Sequence, residues 1–174
     1  MKKKNIKLKI TSEQYDVSDA LFASLAGEDD ELPFDDFGGT DEPEGEDVRY
    51  DGYDTIEMTT DAVMKDDGER IEISYDETEL TGMSGAVTAV SFNKNEPGLV
   101  TMLRGGSVRT ALVFEEGQRN ICTYETPYMP FELCICTRKV ENELEFGRGR
   151  LFLDYMVEIR GAKAERTKFN FEII

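Results

Sequence analysis

Polar and apolar residues alternate with a period of two along most of this chain. Near the start, Ile6, Leu8 and Ile10 alternate with Asn5, Lys7 and Lys9. A period of two puts successive side chains on opposite faces of an extended strand, one face for a core and one for solvent. The same pattern resumes after residue 48. Residues 55–60 lead through a long first arm to Asp66-Asp67-Gly68, a hairpin signal, and residues 69–75 return with Ile71, Ile73 and Tyr75 on one face. Residues 86–93 follow. Asn95-Glu96-Pro97-Gly98 reads as the turn into residues 99–104, and Gly105-Gly106 reads as the break before residues 107–114. Residues 131–137 place Phe131, Leu133, Ile135 and Thr137 on one side, with Cys134 and Cys136 on the other. Residues 150–160 alternate most clearly: Leu151, Leu153, Tyr155, Val157 and Ile159 against Asp154, Glu158 and Arg160. Gly161-Ala162-Lys163 turns into residues 165–174, where Phe169, Phe171 and Ile173 keep step.

These runs predict about eight to nine strands at regular spacing. No helical period of useful length separates them, so the fold class is all-β and antiparallel. Consecutive hairpins suit an up-and-down β-barrel, and closure removes exposed sheet edges. A barrel of this size has a lumen that side chains can fill or that holds one small ligand. Ala89, Ser91, Thr101, Ala111 and Thr137 are the small residues expected to face inward and leave space.

Charge changes this picture in one place. The chain has 174 residues, 20 Lys plus Arg and 37 Asp plus Glu, for a net charge of −17. Residues 15–47 contain 13 of the acids and no base, leaving 24 acids against 20 bases elsewhere. The sequence thus predicts a single barrel domain over 1–174, interrupted after its first strand by an acidic, flexible insertion at 15–47. Within it, residues 17–27 suit a short helix, with Ser18 or Asp19 as N-cap and Gly27 as C-cap. Leu32, Phe34 and Phe37 lie among acids, a pattern that suits docking to a basic partner.

Composition also narrows the chemistry. An acidic surface repels phosphate backbones and anionic lipid, which disfavours nucleic-acid and membrane partners. There is no histidine, so Ser–His–Asp and Cys–His catalysis and His-containing zinc sites are excluded. Three cysteines do not make a secreted disulfide framework. Met1-Lys2-Lys3-Lys4 resembles the start of an export signal, but the alternation that follows contains no continuous apolar stretch. The expected location is the cytoplasm.

Three segments stand out as candidate chemistry. The first is Glu77-Thr78-Glu79-Leu80-Thr81-Gly82-Met83-Ser84-Gly85, the second Leu103-Arg104-Gly105-Gly106, and the third Tyr124-Glu125-Thr126-Pro127-Tyr128-Met129-Pro130-Phe131. In a meander they converge, because neighbours in sequence are neighbours in space. Glu79 and Arg104 are expected to pair, either closing the barrel or leaving Arg104 to bind a ligand carboxylate or phosphate. Glu79, Thr81, Arg104, Tyr124, Thr126, Thr137 and Tyr155 form the candidate ligand-binding set. Tyr124, Tyr128, Phe131, Tyr155, Phe169 and Phe171 form either an aromatic core or the wall of a pocket. Cys134 and Cys136, two apart on one strand face, read as buried structural thiols. A three-thiolate metal site with Cys122 is the alternative, and neither a metal nor a cofactor is expected. No nucleophile or second acid marks an enzyme.

The three segments, with Thr88, Ser107-Val108 and Thr137 in the same order on the same strand pattern, resemble the YwiB-like family of uncharacterised bacterial proteins. The resemblance covers roughly residues 50–174. It implies a calycin-like barrel, the architecture of lipocalins and fatty-acid-binding proteins, and carries no established reaction. Met129 departs from the family pattern, which expects a small residue there. Two functions compete: a barrel binding a small acidic or amphipathic ligand in its lumen, and an interaction module with a filled barrel whose acidic segment docks a basic protein.

Overall fold

The computed structural model describes residues 1–17, 53–159 and 163–174. Ten strands run in chain order: β1 (Lys2–Asp16), β2 (Tyr53–Asp66), β3 (Arg70–Asp76), β4 (Ala86–Asn93), β5 (Glu96–Gly106), β6 (Thr110–Phe114), β7 (Arg119–Glu125), β8 (Pro130–Asn142), β9 (Arg150–Ile159) and β10 (Lys163–Ile173). A single 3-10 turn, Glu79–Thr81, links β3 to β4. The sheet order is β6-β5-β4-β3-β2-β1-β10-β9-β8-β7, with every pair antiparallel. Each strand therefore pairs with its sequence neighbours except β6 with β7, and β1 also pairs with β10. The result is a nearly closed up-and-down barrel. Its seam lies between β6 and β7, where Arg109, just before β6, makes one isolated bridge to Glu125 with reciprocal backbone hydrogen bonds of 3.0 and 2.9 Å. No helix among the described residues is long and apolar enough to cross a membrane.

The expected alternation places the core. Ile6, Leu8 and Ile10 of β1, Ile71, Ile73 and Tyr75 of β3, Leu151, Leu153 and Tyr155 of β9, and Phe169 and Phe171 of β10 are all buried. They share one cluster with Met64, Phe92, Val100 and Phe114. Those last four lie toward the barrel end that receives the β8–β9 connection. Leu144 is buried there, Phe146 packs against the core, and the Gly147 amide donates to Met64 Sδ at 3.1 Å. This end is filled.

Several sequence expectations need correction. Among the described residues ten strands form, close to the eight to nine expected. The missed strand is β7, whose inward side chains, Asn120, Cys122 and Tyr124, carry no aliphatic repeat. The β4–β5 hairpin turns at Lys94 and Asn95, and Glu96, Pro97 and Gly98 already belong to β5. Pro97 is tolerated because β5 pairs with β6 only from Val100 onward. Gly105 and Gly106 do not break β5, since they pair with Val87 and Ala86. Gly106 has φ +118°, and a Cβ there would lie 2.3 Å from the Gly85 carbonyl oxygen. Glycine is what lets the two strands meet this closely.

The small residues are also redistributed. Val90, Phe92, Val100, Met102, Leu112 and Phe114 set the inward phase of β4 to β6, so Ala89, Ser91, Thr101 and Ala111 fall on the outer face. Thr137 does face inward, and the other buried small inward positions are Ala62, Ala86, Thr88, Thr110 and Thr167. The helix expected over 17–27 and nearly all of the acidic insertion lie outside the described residues. Tyr15 and Asp16 belong to β1.

Candidate functional site

The other end of the barrel is open. β1 and β2 contribute Ser12, Gln14 and Ile56, β3 ends there at Tyr75 and Glu77, and β5 ends there with Arg104. A cavity of about 480 Å³ lies between these ends and the facing halves of β7 to β10. That volume lies within the range of small-molecule sites. Its walls are mainly apolar, with Ile10, Met58, Leu112, Leu133, Ile135 and Phe169 among them.

Beside this cavity runs a polar layer built by strand register. Tyr75 pairs with Thr88, Thr88 with Arg104, and Arg104 with Thr110, giving one inward row across β3 to β6. On the opposite wall Thr137 pairs with Tyr155, Tyr155 with Thr167, and Thr167 with Gln14. Antiparallel pairing stacks residues of one face side by side, so both rows follow from the alternation and the register together.

The carboxylate that faces Arg104 belongs to Glu77, and the expected Glu79–Arg104 pair is replaced. Arg104 Nε lies 3.8 Å from Glu77 Oε1, with the side chains 15% and 2% exposed. Glu77 also accepts hydrogen bonds from Thr88 Oγ1 and, at 2.9 Å, from Thr81 Oγ1. Its own amide donates to the Ala86 carbonyl at 2.9 Å, which holds the residue in the inward phase beyond the end of β3. Glu79 lies in the 3-10 turn and is exposed. Glu77 continues the parity of the buried residues 71, 73 and 75, but Glu79 shares that parity, so alternation alone does not choose between them.

Arg104 Nε is buried without a hydrogen-bond partner, while one terminal nitrogen lies 3.5 Å from Met102 Sδ. The guanidinium therefore retains donor capacity beside the cavity. Burial, with the neighbouring Glu77 charge, pushes the Tyr75 hydroxyl well above the ordinary phenol range. Burial does the same to Tyr155, partly offset by Arg104. Both phenols are neutral donors at physiological pH.

Of the sequence-selected set, Thr81, Arg104, Tyr124, Thr126 and Tyr155 line the cavity. Thr137 lies in the polar layer, 4% exposed, and its Oγ1 has no hydrogen-bond partner. The Thr126 hydroxyl is engaged in its own turn: it donates to the Met129 carbonyl at 2.9 Å and accepts from the Tyr128 and Met129 amides at 3.2 Å each. No non-glycine residue described has positive φ, so Met129 fits this turn without needing glycine's freedom. The Tyr124 hydroxyl lies 3.6 Å from Met83 Sδ across the mouth, and its ring packs on Phe131 at 5.1 Å. The expected aromatic group divides. Phe169 and Phe171 stack at 6.2 Å, Tyr155 packs on Phe114 at 4.8 Å, and Tyr128 is 95% exposed at the rim.

The cysteines separate as well. Cys122 packs against the main core, whereas Cys134 and Cys136 belong to a second cluster with Val17, Met156 and Ala164. The three-thiolate arrangement does not form. Burial pushes the Cys122 thiol up and the Cys136 thiol up to about 12, so neither is an activated nucleophile.

Comparison with known proteins agrees with this architecture. The crystal structure of ywiB protein from Bacillus subtilis matches with a TM-score of 0.66 and 18% sequence identity, covering 99% of this chain and 93% of that one. At that identity the likeness speaks for the barrel alone. No curated protein matches this chain. The model of a domain of unknown function, DUF1934, matches residues 44–171, most of the barrel together with its cavity-lining strands from β2 to β10. The chain therefore belongs to the DUF1934 family, the YwiB-like barrels to which its three unusual segments point.

Proposed function

We propose that this barrel binds a small acidic or amphipathic molecule in its lumen. The observation that carries the reading is the buried Arg104 Nε, a charged donor without a hydrogen-bond partner beside a largely apolar cavity of about 480 Å³. A guanidinium offers a fork of donors suited to a carboxylate or phosphate, and Glu77 at 3.8 Å engages only part of it. Tyr155 and Thr167, with their neutral hydroxyls, lie on the opposite wall. The acidic head of the ligand lies against Arg104 and its apolar body against Ile10, Met58, Leu112 and Phe169. No step of chemistry is assigned. A carboxylate and a guanidinium 3.8 Å apart serve recognition better than proton transfer. The three free cysteines suit a reducing compartment, which supports a cytoplasmic setting.

Native mass spectrometry of the protein purified from a bacterial cytoplasm, paired with its denatured mass, tests this. The expected result is a defined mass excess that vanishes on denaturation and falls in Arg104→Met. No excess, even after incubation with a metabolite extract, overturns the reading.

A second reading rests on the 13 acids and no bases of residues 15–47. It makes the protein an interaction module for a basic protein partner. It requires association that weakens steeply as salt rises, read by pull-downs at low and high ionic strength.

A further inference from the structure

On the outer face of the barrel, away from the lumen, register brings a second group of side chains together. Cys134 of β8 is directly paired with Glu158 of β9, and Cys136 lies one step along the same face. Cys134 Sγ and Cys136 Sγ are 4.0 Å apart, and Cys136 Sγ lies 3.9 Å from Glu158 Oε1. All three ligand atoms fall within 4.8 Å of one another. We propose that Cys134, Cys136 and Glu158 form a binding site for a thiophilic divalent cation of the zinc class.

The geometry is close to what such an ion needs. Metal–sulfur bonds of about 2.3 Å at tetrahedral angles place two sulfurs about 3.8 Å apart, and a sulfur and a carboxylate oxygen about 3.6 Å apart. The Cys134–Cys136 and Cys136–Glu158 separations exceed these by a few tenths of an ångström, the Cys134–Glu158 pair lies within 4.8 Å, and rotation of the side chains closes the gaps. Two thiolates and one oxygen are a donor set that favours zinc or cadmium over magnesium or calcium. Water completes the tetrahedron.

Arg119 of β7 prepares the site without blocking it. Its Nη2 donates to Glu158 Oε2 at 2.6 Å, leaving Oε1 turned toward Cys136. Its Nε donates to Cys134 Sγ at 2.8 Å. Outer partners of this kind orient ligands and raise metal affinity. Charge also balances: two thiolates and a carboxylate are matched by a divalent cation plus one guanidinium. Val17, Met156 and Ala164 back the sulfurs with apolar surface, where attraction between ion and ligand is less screened. Each thiol that binds gives up its proton to solvent as the metal–sulfur bond forms.

The test is titration of the full, reduced chain with Co(II), followed by Zn(II). Expected is a thiolate-to-cobalt charge-transfer band in the near ultraviolet, saturating at one ion per chain and abolished by Zn(II). Cys122→Ser retains the band, whereas Cys134→Ser and Cys136→Ser lose it. Glu158→Gln weakens Co(II) affinity by about tenfold or more, and Arg119→Ala does likewise, with partial rescue by Arg119→Lys. Circular dichroism of each variant separates loss of the site from loss of the fold. The proposal is overturned if the wild-type chain gives no band with excess Co(II). It is equally overturned if the band survives both outer-face Cys→Ser changes, or if it follows Cys122.

Discussion

Arg104 Nε and Glu77 Oε1 lie 3.8 Å apart in the wall of the cavity, and the Glu77 side chain is only 2% exposed. Removing one partner of such a pair leaves a buried charge uncompensated. Arg104→Met is expected to destabilise the fold by about 2–4 kcal/mol, somewhat below the full penalty for breaking a buried pair, because Glu77 keeps two hydroxyl donors. Urea denaturation measures this. The double variant Arg104→Met/Glu77→Gln should recover part of the loss. A neutral Arg104→Met would mean that the pair contributes nothing.

Gly106 and Gly98 lie in the same strand and are expected to respond oppositely to alanine. At Gly106 a Cβ meets the Gly85 carbonyl at 2.3 Å and the backbone is left-handed, so Gly106→Ala costs at least about 1–3 kcal/mol from conformation alone. At Gly98 a Cβ meets nothing within 4 Å, so Gly98→Ala stays within about 0.5 kcal/mol. Equal effects in thermal melts would refute the account of the β4–β5 join.

Phe171 is fully buried, 6.0 Å from the Tyr75 ring and 6.2 Å from Phe169. Phe171→Ala is expected to cost about 3–5 kcal/mol through lost burial and a residual cavity. Ile121 is equally apolar but 69% exposed on β7, and Ile121→Ala should change stability by no more than about 0.5 kcal/mol. Chemical denaturation of the two variants side by side checks the inward phase.

Alkaline pH should unfold the protein through its buried phenols. Tyr75 and Tyr155 both have raised pKa values from burial. A raised phenol binds its proton more tightly in the folded state. Its contribution is therefore complete below the ordinary value of 10.0 and is lost as pH rises above it. Ultraviolet titration should show Tyr75 and Tyr155 ionising only as the fold opens. The double change Tyr75→Phe/Tyr155→Phe should flatten the loss of stability above pH 10. Tyrosinate signals from these two in a folded chain would contradict this.

Amide hydrogen exchange should be fastest, among the strands, along the facing edges of β6 and β7. There a single bridge stands in place of a ladder, whereas β1 pairs along most of its length with both β2 and β10. Local opening follows the weakest pairing. Equal protection in β1, β6 and β7 would show a fully closed barrel.

Much of this fold was legible from periodicity alone. The inward faces of β1, β3, β8, β9 and β10 were readable because a barrel strand has one dry face, and Leu153, Tyr155 and Phe171 keep that parity without interruption. β7 was not legible, because Asn120, Cys122 and Tyr124 carry no aliphatic repeat. Lys94-Asn95 gave way to Asn95-Glu96-Pro97-Gly98 as the expected turn because proline and glycine usually punctuate chains. Here they lie in a strand segment with one free edge. Glu77 and Glu79 share one parity and neither is compensated locally, and the backbone hydrogen bond from Glu77 to Ala86 holds Glu77 inside.

Periodicity and turn residues sufficed for an all-β antiparallel meander and the phase of most of its strands, and singled out Arg104, which lines the cavity. These depend on side-chain parity and turn chemistry, which are local. The tertiary structure alone decided that the barrel closes through β1 and β10 and leaves its seam at β6 and β7. It also decided that Glu77 faces Arg104, and that Cys134 and Cys136 meet Glu158 and Arg119 rather than Cys122. Each of those outcomes depends on the register between strands far apart in sequence, and register is set by how the whole core packs, which no local window contains.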